Sequence, residues 1–123
     1  MGIYRVGAGI FAIDKNRNIF LLKRSRDTSY PLTWSLPGGS MENIDCDNLE
    51  FPKQEYKLHE YLRCAIRETA EETAIYFKEG TYSLIKNIFS NSLKHTYKYM
   101  TFVILYENIL DILDNVNLDL NEN

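Results

Sequence analysis

Between Tyr4 and Asp14, the residues Val6, Ala8, Ile10 and Ala12 alternate with Gly7, Gly9, Phe11 and Ile13. A strand with one wet face carries polar side chains at every second position. Here both sets are small or apolar, so the segment reads as a strand packed on both sides, inside a sheet. Gly7-Ala8-Gly9 is not a dinucleotide-binding fingerprint, because the third glycine is missing and no helix start follows. Close packing within a sheet accounts for these glycines better.

The remaining elements are arranged around that strand. The polar break Lys15-Asn16-Arg17-Asn18 precedes Ile19 to Arg24, which predicts a hairpin returning antiparallel. Asp27 to Thr33 is polar and contains Pro31, and Trp34 to Leu36 can form a very short strand before the sharp backbone feature Pro37-Gly38-Gly39. From Ser40 to Lys57 no period is evident, which predicts an extended loop of unusual length. Leu58, Leu62, Ala65, Thr69 and Thr73 then recur at helical spacing and mark the buried stripe of a helix from about Lys57 to Tyr76. Two β-rich stretches, Tyr82 to Ser90 and Thr96 to Glu107, flank Asn91 to His95 and suggest a second hairpin. The tail from Asn108 to Asn123 holds Ile109, Leu110, Ile112 and Leu113, then turns polar without a terminal helix of useful length.

The order is strands, helix, strands, in 123 residues of which 45% are hydrophobic. That suffices for one core and one domain, 1–123. A formal charge of -3 gives no general attraction to nucleic acid or anionic membranes. No apolar run approaches the roughly 20 residues that span a bilayer, and no signal-peptide h-region opens the chain, so a cytoplasmic protein is expected. Cys46 and Cys64, in unlike contexts, fit a reducing compartment better than a disulfide. His59-Glu60-Tyr61-Leu62-Arg63 begins like a zincin helix, but Arg63 stands where the second histidine belongs.

Within the predicted helix, Glu68, Glu71 and Glu72 stand at i, i+3 and i+4 and project from one face. Counter-charges at the next helical positions would mark a solvated, ion-paired face, but Ile75 and Tyr76 stand there. Only Arg67 offers a local positive charge. Spacing alone leaves two readings open, a plain acidic face and a cation site, and hard carboxylate oxygens would favour Mg²⁺ or Mn²⁺ over zinc. Arg67 is likewise open to two readings: a surface ion-pair partner, or a guanidinium that fixes a neighbouring carboxylate in one rotamer.

Gly38-Gly39 followed by Arg67-Glu68-Thr69-Ala70-Glu71-Glu72-Thr73-Ala74-Ile75 closely resembles the Nudix box, G-x5-E-x7-R-E-U-x-E-E-x-G-U. Trp34-Ser35-Leu36-Pro37-Gly38-Gly39 looks like the strand end that leads into that box, and Leu21-Leu22-Lys23-Arg24 like the family's second strand. The resemblance covers roughly Val6 to Glu107. It implies an α/β fold, an α/β/α sandwich with a mixed sheet, here short at the C-terminus. Three departures stand out. Counting back from Arg67, His59 occupies the early glutamate position, with Glu60 beside it, and Glu42 fits the acidic position shortly after the glycines. About 14 extra residues separate the halves of the box, within an insertion loop at about 43–57. Ala74 stands at the box glycine, which predicts a helix end that needs no left-handed residue.

The resemblance further implies Mg²⁺-dependent (or Mn²⁺-dependent) hydrolysis of a diphosphate linkage in a nucleoside diphosphate joined to another moiety. The substrate would be a nucleotide, a nucleotide sugar or a dinucleoside polyphosphate. Metal ligands would be Glu68, Glu71, Glu72 and the Gly38 carbonyl. Glu68 is the first candidate for base or bridging ligand, with Arg67 orienting it and Glu71 also catalytic. Glu122 is the nearest carboxylate that a later segment could supply as base. Arg24 is either a phosphate contact or a solvent-facing strand end. Trp34 and Tyr30 are either base-stacking or packing residues, Gly39 is a substrate-binding candidate, and Tyr97, Tyr99 and Phe102 read as sheet fillings. A small-molecule partner is expected, with the chain a monomer or homodimer. The alternative is a Nudix-fold module that binds nucleotides with weakened catalysis.

Overall fold

The computed structural model describes residues 5–23, 34–92 and 97–114. Strand β1 (Arg5–Asp14) lies inside a four-stranded mixed sheet of order β4-β1-β6-β5. It pairs antiparallel with β4 (Gly38–Ser40) and parallel with β6 (Tyr97–Tyr106), whose other edge carries β5 (Tyr82–Ser92) antiparallel. This is the interior strand that the doubly apolar alternation demands: Val6 to Ile10 are all buried, and Ala8, Ile10 and Ala12 fully so. Burying these side chains supplies most of the drive for the sheet to acquire cover.

The cover is helix α1 (Leu58–Thr73), which packs on β1 and β4. Its buried stripe, Tyr61, Cys64, Ala65, Thr69 and Thr73, meets the small residues of β1 in one core with Phe77, Phe102 and Ile104. Thr69 and Thr73 are tolerated there because each hydroxyl donates to the carbonyl four residues back, at 2.7 Å. Leu58–Thr73 falls within the predicted 57–76, and β5 and β6 form the expected second hairpin.

Four expectations need correction. The first hairpin is minimal: Ile19 bridges Ile13, but β2 (Leu22–Lys23) pairs with β3 (Trp34–Ser35) in a separate two-stranded sheet. The long loop is not extended, since it holds two 3₁₀ turns, Asn43–Asp45 and Asp47–Leu49. A short helix α2 (Ile109–Asp114) follows β6, its Ile109 N–H donating to buried Asp14 at 2.9 Å. Finally, Ala74 does adopt the left-handed conformation (φ 64°, ψ 15°), and its N–H donates to the Ala70 carbonyl at 2.8 Å. The helix end has the geometry that a glycine would favour, with an alanine in it.

Among the described residues, no helix is long and apolar enough to cross a membrane. Cys46 and Cys64 are both free and buried. Burial pushes the Cys64 thiol up to about 12, which makes it a packing group rather than a nucleophile.

Candidate active site

The close approach of β4 to β1 fixes one wall of the site. A Cβ on Gly38 would collide with the Ala8 carbonyl and the Gly9 backbone, and one on Gly39 would run into the Glu68 carboxylate. Glycines at both positions therefore let β4 lie against β1 on one side and accept the acidic turn of α1 on the other. Glu72 closes the junction by accepting the Gly38 N–H at 2.8 Å.

Arg67 organises the acids. Its Nε and Nη2 donate to the two oxygens of Asp45 at 2.8 and 2.9 Å, and Nη2 also donates to the Ser40 carbonyl at 2.8 Å. Nη1 reaches Glu68 at 2.9 Å, both oxygens of Glu71 at 3.1 Å, and Glu42 at 3.3 Å. These partners, Asp45 above all, raise the guanidinium's already high pKa against the opposing effect of burial. One guanidinium faces four carboxylates, which is three negative charges in excess if all are ionised. Burial raises the Glu68 carboxyl above its ordinary range, and the Glu71 and Glu42 charges push the same way against Arg67.

Oxygens of Glu42, Glu68 and Glu71 lie within 4.8 Å of one another. Hard oxygen donors at that spacing, with an uncompensated negative charge, fit a divalent cation of the Mg²⁺ or Mn²⁺ kind. The structure thus brings together Gly38, Gly39, Glu42, Arg67, Glu68, Glu71 and Glu72.

Other residues singled out from the sequence lie elsewhere. Glu60 is fully buried and accepts from Lys53 Nζ at 2.6 Å and from the backbone N–H groups of Lys57 and Asp47. Burial works to raise its carboxyl, but those bonds outweigh it and hold the group below its ordinary value. His59 pairs with Asp47 at 2.7 Å, and Arg63 reaches the same carboxylate at 2.8 Å. Together these contacts tie the insertion to the first turns of α1. Trp34 is exposed in the small sheet, with Lys23 Nζ 5.9 Å from its ring centroid. Arg24, Tyr30 and Glu122 lie outside the described residues.

Asp45 escaped the sequence reading. Counting back from Arg67 lands on His59, but leaving five residues after Gly39, as the box does, lands on Asp45. By position and by its bidentate grip on Arg67, Asp45 stands where the box has its early glutamate. The extra residues therefore fall between Asp45 and the helix.

The fold has counterparts among solved structures. The structure is similar to that of the Ap4A hydrolase of C. elegans, with a TM-score of 0.53 and 20% identity over 96% of this chain and 76% of that one. It is similar to a NUDIX hydrolase from Nitrosomonas europaea, with a TM-score of 0.59 and 20% identity over 88% of this chain and 50% of that one. A third likeness is the NUDIX domain of Shewanella oneidensis NrtR, crystallised with ADP ribose, at a TM-score of 0.56 and 16% identity, covering 88% of this chain and 64% of that one. The chain thus spans between half and three quarters of the length of these proteins. No curated protein matches the sequence at a significant level. At such identities the structural likeness shows a shared α/β fold with a mixed sheet. The NUDIX domain family itself matches residues 3–111, and with the glycine turn and the acidic helix in place, the chain belongs to that family.

Proposed function

We propose that this protein hydrolyses a diphosphate linkage in a nucleoside diphosphate derivative, with Mg²⁺ or Mn²⁺ as cofactor. The observation that carries the reading is the packing of Glu42, Glu68 and Glu71 around a single guanidinium, against the Gly38-Gly39 wall. Glu68, Glu71, Glu72 and the Gly38 carbonyl would hold the cation, with Glu42 in reach. When bound, such an ion supplies Lewis acidity toward water and charge neutralisation toward the diphosphate oxygens.

The chain's own residues set up the rest. Arg67, clamped by Asp45, holds Glu68 and Glu71 in fixed rotamers, so little reorganisation is needed as charge develops. Glu68, the most enclosed of the three carboxylates and the one whose basicity is raised, is the group best suited to accept a proton from attacking water. Gly39 leaves room for Glu68 at the point where the chain meets substrate. Neighbours crystallised as an Ap4A hydrolase and with ADP ribose support the nucleotide-type substrate class. Arg24, Trp34 and Glu122 stay candidates for substrate or proton contacts, and a small-molecule substrate in the cytoplasm completes the reading.

Screening nucleotides, nucleotide sugars and dinucleoside polyphosphates with Mg²⁺ tests the proposal. Hydrolysis that depends on the metal supports it. Calorimetric binding of nucleotide with no product over hours would contradict it and leave a non-catalytic binding module.

A further inference from the structure

On the side of α1 turned away from the sheet, a cleft of about 500 Å³ adjoins the acidic cluster and shares Arg67 and Glu71 with it. Its apolar walls are Ile44, Ile66, Ala70 and Tyr76. Ile44 is 63% exposed and Tyr76 68% exposed, an uncommon outlay of apolar surface around one concavity.

Neither side chain is there by looseness of the backbone. Ile44 sits in the 3₁₀ turn directly before Asp45, whose two bonds to Arg67 pin that turn to the helix. Tyr76 lies between Ile75 and Phe77, both buried in the core, so the extended chain after Ala74 turns its ring outward. The cleft is therefore built from fixed parts.

Its size lies within the range of about 300–1,000 Å³ usual for small-molecule pockets. Charged groups, Arg63, Asp45, Arg67 and Glu71, bound the apolar walls, whereas a protein partner would need a far larger continuous patch. Glu71 belongs both to the carboxylate cluster and to the cleft lining, so a diphosphate seated at the cluster would lie at the cleft's mouth. Apolar walls and one aromatic face suit a flat heteroaromatic ring.

We infer that this cleft is the nucleobase subsite, with Tyr76 stacking the base and Ile44, Ile66 and Ala70 enclosing it. The inference rests on the diphosphohydrolase reading and adds to it the residues that select a nucleoside over a bare diphosphate.

Calorimetric titration of ADP and of inorganic pyrophosphate, each with saturating Mg²⁺, tests it in the whole protein. Tyr76→Ala should weaken ADP binding about tenfold, the scale of one lost base stack, and leave pyrophosphate binding unchanged. Tyr76→Phe, which keeps the ring, should bind ADP as the wild type does. ADP binding unaltered by Tyr76→Ala overturns the inference, as does equal weakening of both ligands. Wild-type protein that binds pyrophosphate but not ADP also overturns it while sparing the diphosphate site. Failure to bind either ligand removes the underlying reading as well.

Discussion

Asp45 and Arg67 face each other through two parallel bonds, Nε to Oδ1 at 2.8 Å and Nη2 to Oδ2 at 2.9 Å, with only 2% of the aspartate side chain and 17% of the arginine exposed. Without Asp45, Arg67 still faces Glu42, Glu68 and Glu71, so its charge stays compensated, but the two charge-assisted bonds that fix the guanidinium are lost. Asp45→Ala should therefore destabilise the fold by about 2 kcal/mol and release Arg67 from its fixed position beside Glu68 and Glu71. Urea denaturation and steady-state kinetics on the same preparation check both effects. A variant of wild-type stability and wild-type kcat would show that the pair positions nothing.

The left-handed Ala74 makes a prediction of the opposite sign. An L-residue in that conformation costs roughly 1–2 kcal/mol, and the extra unfolded-state entropy that glycine brings opposes folding by about 0.4–1 kcal/mol. Ala74 is exposed, so no packing is sacrificed. Ala74→Gly should raise stability by up to about 1 kcal/mol, seen as a higher urea midpoint with an unchanged slope. Ala74→Val should lower it.

Two glycine substitutions separate folding from activity. A Cβ on Gly39 meets Glu68 at its Oε1, Cδ and Cγ atoms, the movable end of a side chain. Gly39→Ala should fold normally and lose activity as Glu68 is displaced. On Gly7 the Cβ meets the Gly39 carbonyl, which is backbone within the sheet. Gly7→Ala should cost stability itself, by roughly 1–3 kcal/mol for an overpacked core position. Thermal melts of the two variants, read beside their kcat values, distinguish these effects.

Asp47 links pH to the insertion. Hydrogen bonds from Arg63 and then His59 lower its carboxyl from 3.8 to about 2. A depressed acid pKa gives stability that is fully present above the unfolded value and is lost as pH falls through the folded one. The anchoring of residues 46–57 should therefore hold above pH 4 and fail between pH 4 and 2. Asp47→Asn mimics that loss at neutral pH. Amide hydrogen exchange should then quicken across 46–57 and stay slow in β1 and β6.

The insertion also shows where sequence reading stops. The strand around Ala8 and Ile10, the helix around Cys64 and Ala65, and the second hairpin follow from periodicity, because burial repeats at intervals that the chain displays. The cluster of Glu68, Glu71 and Glu72 is legible for the same reason, since i, i+3 and i+4 share a helical face. The bonds of Asp47 to Arg63, Lys53 to Glu60 and Asp45 to Arg67 join loop to helix at spacings that no period announces. They turn a polar, aperiodic stretch into two 3₁₀ turns fastened to α1. Glu60, which stands beside His59 at the early glutamate position counted back from Arg67, serves in that fastening. Asp45 was in principle visible, since its spacing from Gly39 is that of the family's box, but only when counted across the insertion from the glycine side. Ala74 misled because its identity argues against the conformation that the end of α1 imposes on it.

If the carboxylates gathered by Arg67 carry metal-dependent hydrolysis, phosphate-ester release from a nucleoside diphosphate derivative by wild-type, Glu68→Gln and Glu71→Gln proteins, each with Mg²⁺ and with chelator, will show it. The wild type should be active with Mg²⁺ and silent with chelator, and either substitution should lower kcat by about a hundredfold or more. Undiminished turnover by Glu71→Gln or Glu68→Gln, or wild-type turnover that survives the chelator, would mean that these carboxylates and a bound cation do not carry the reaction.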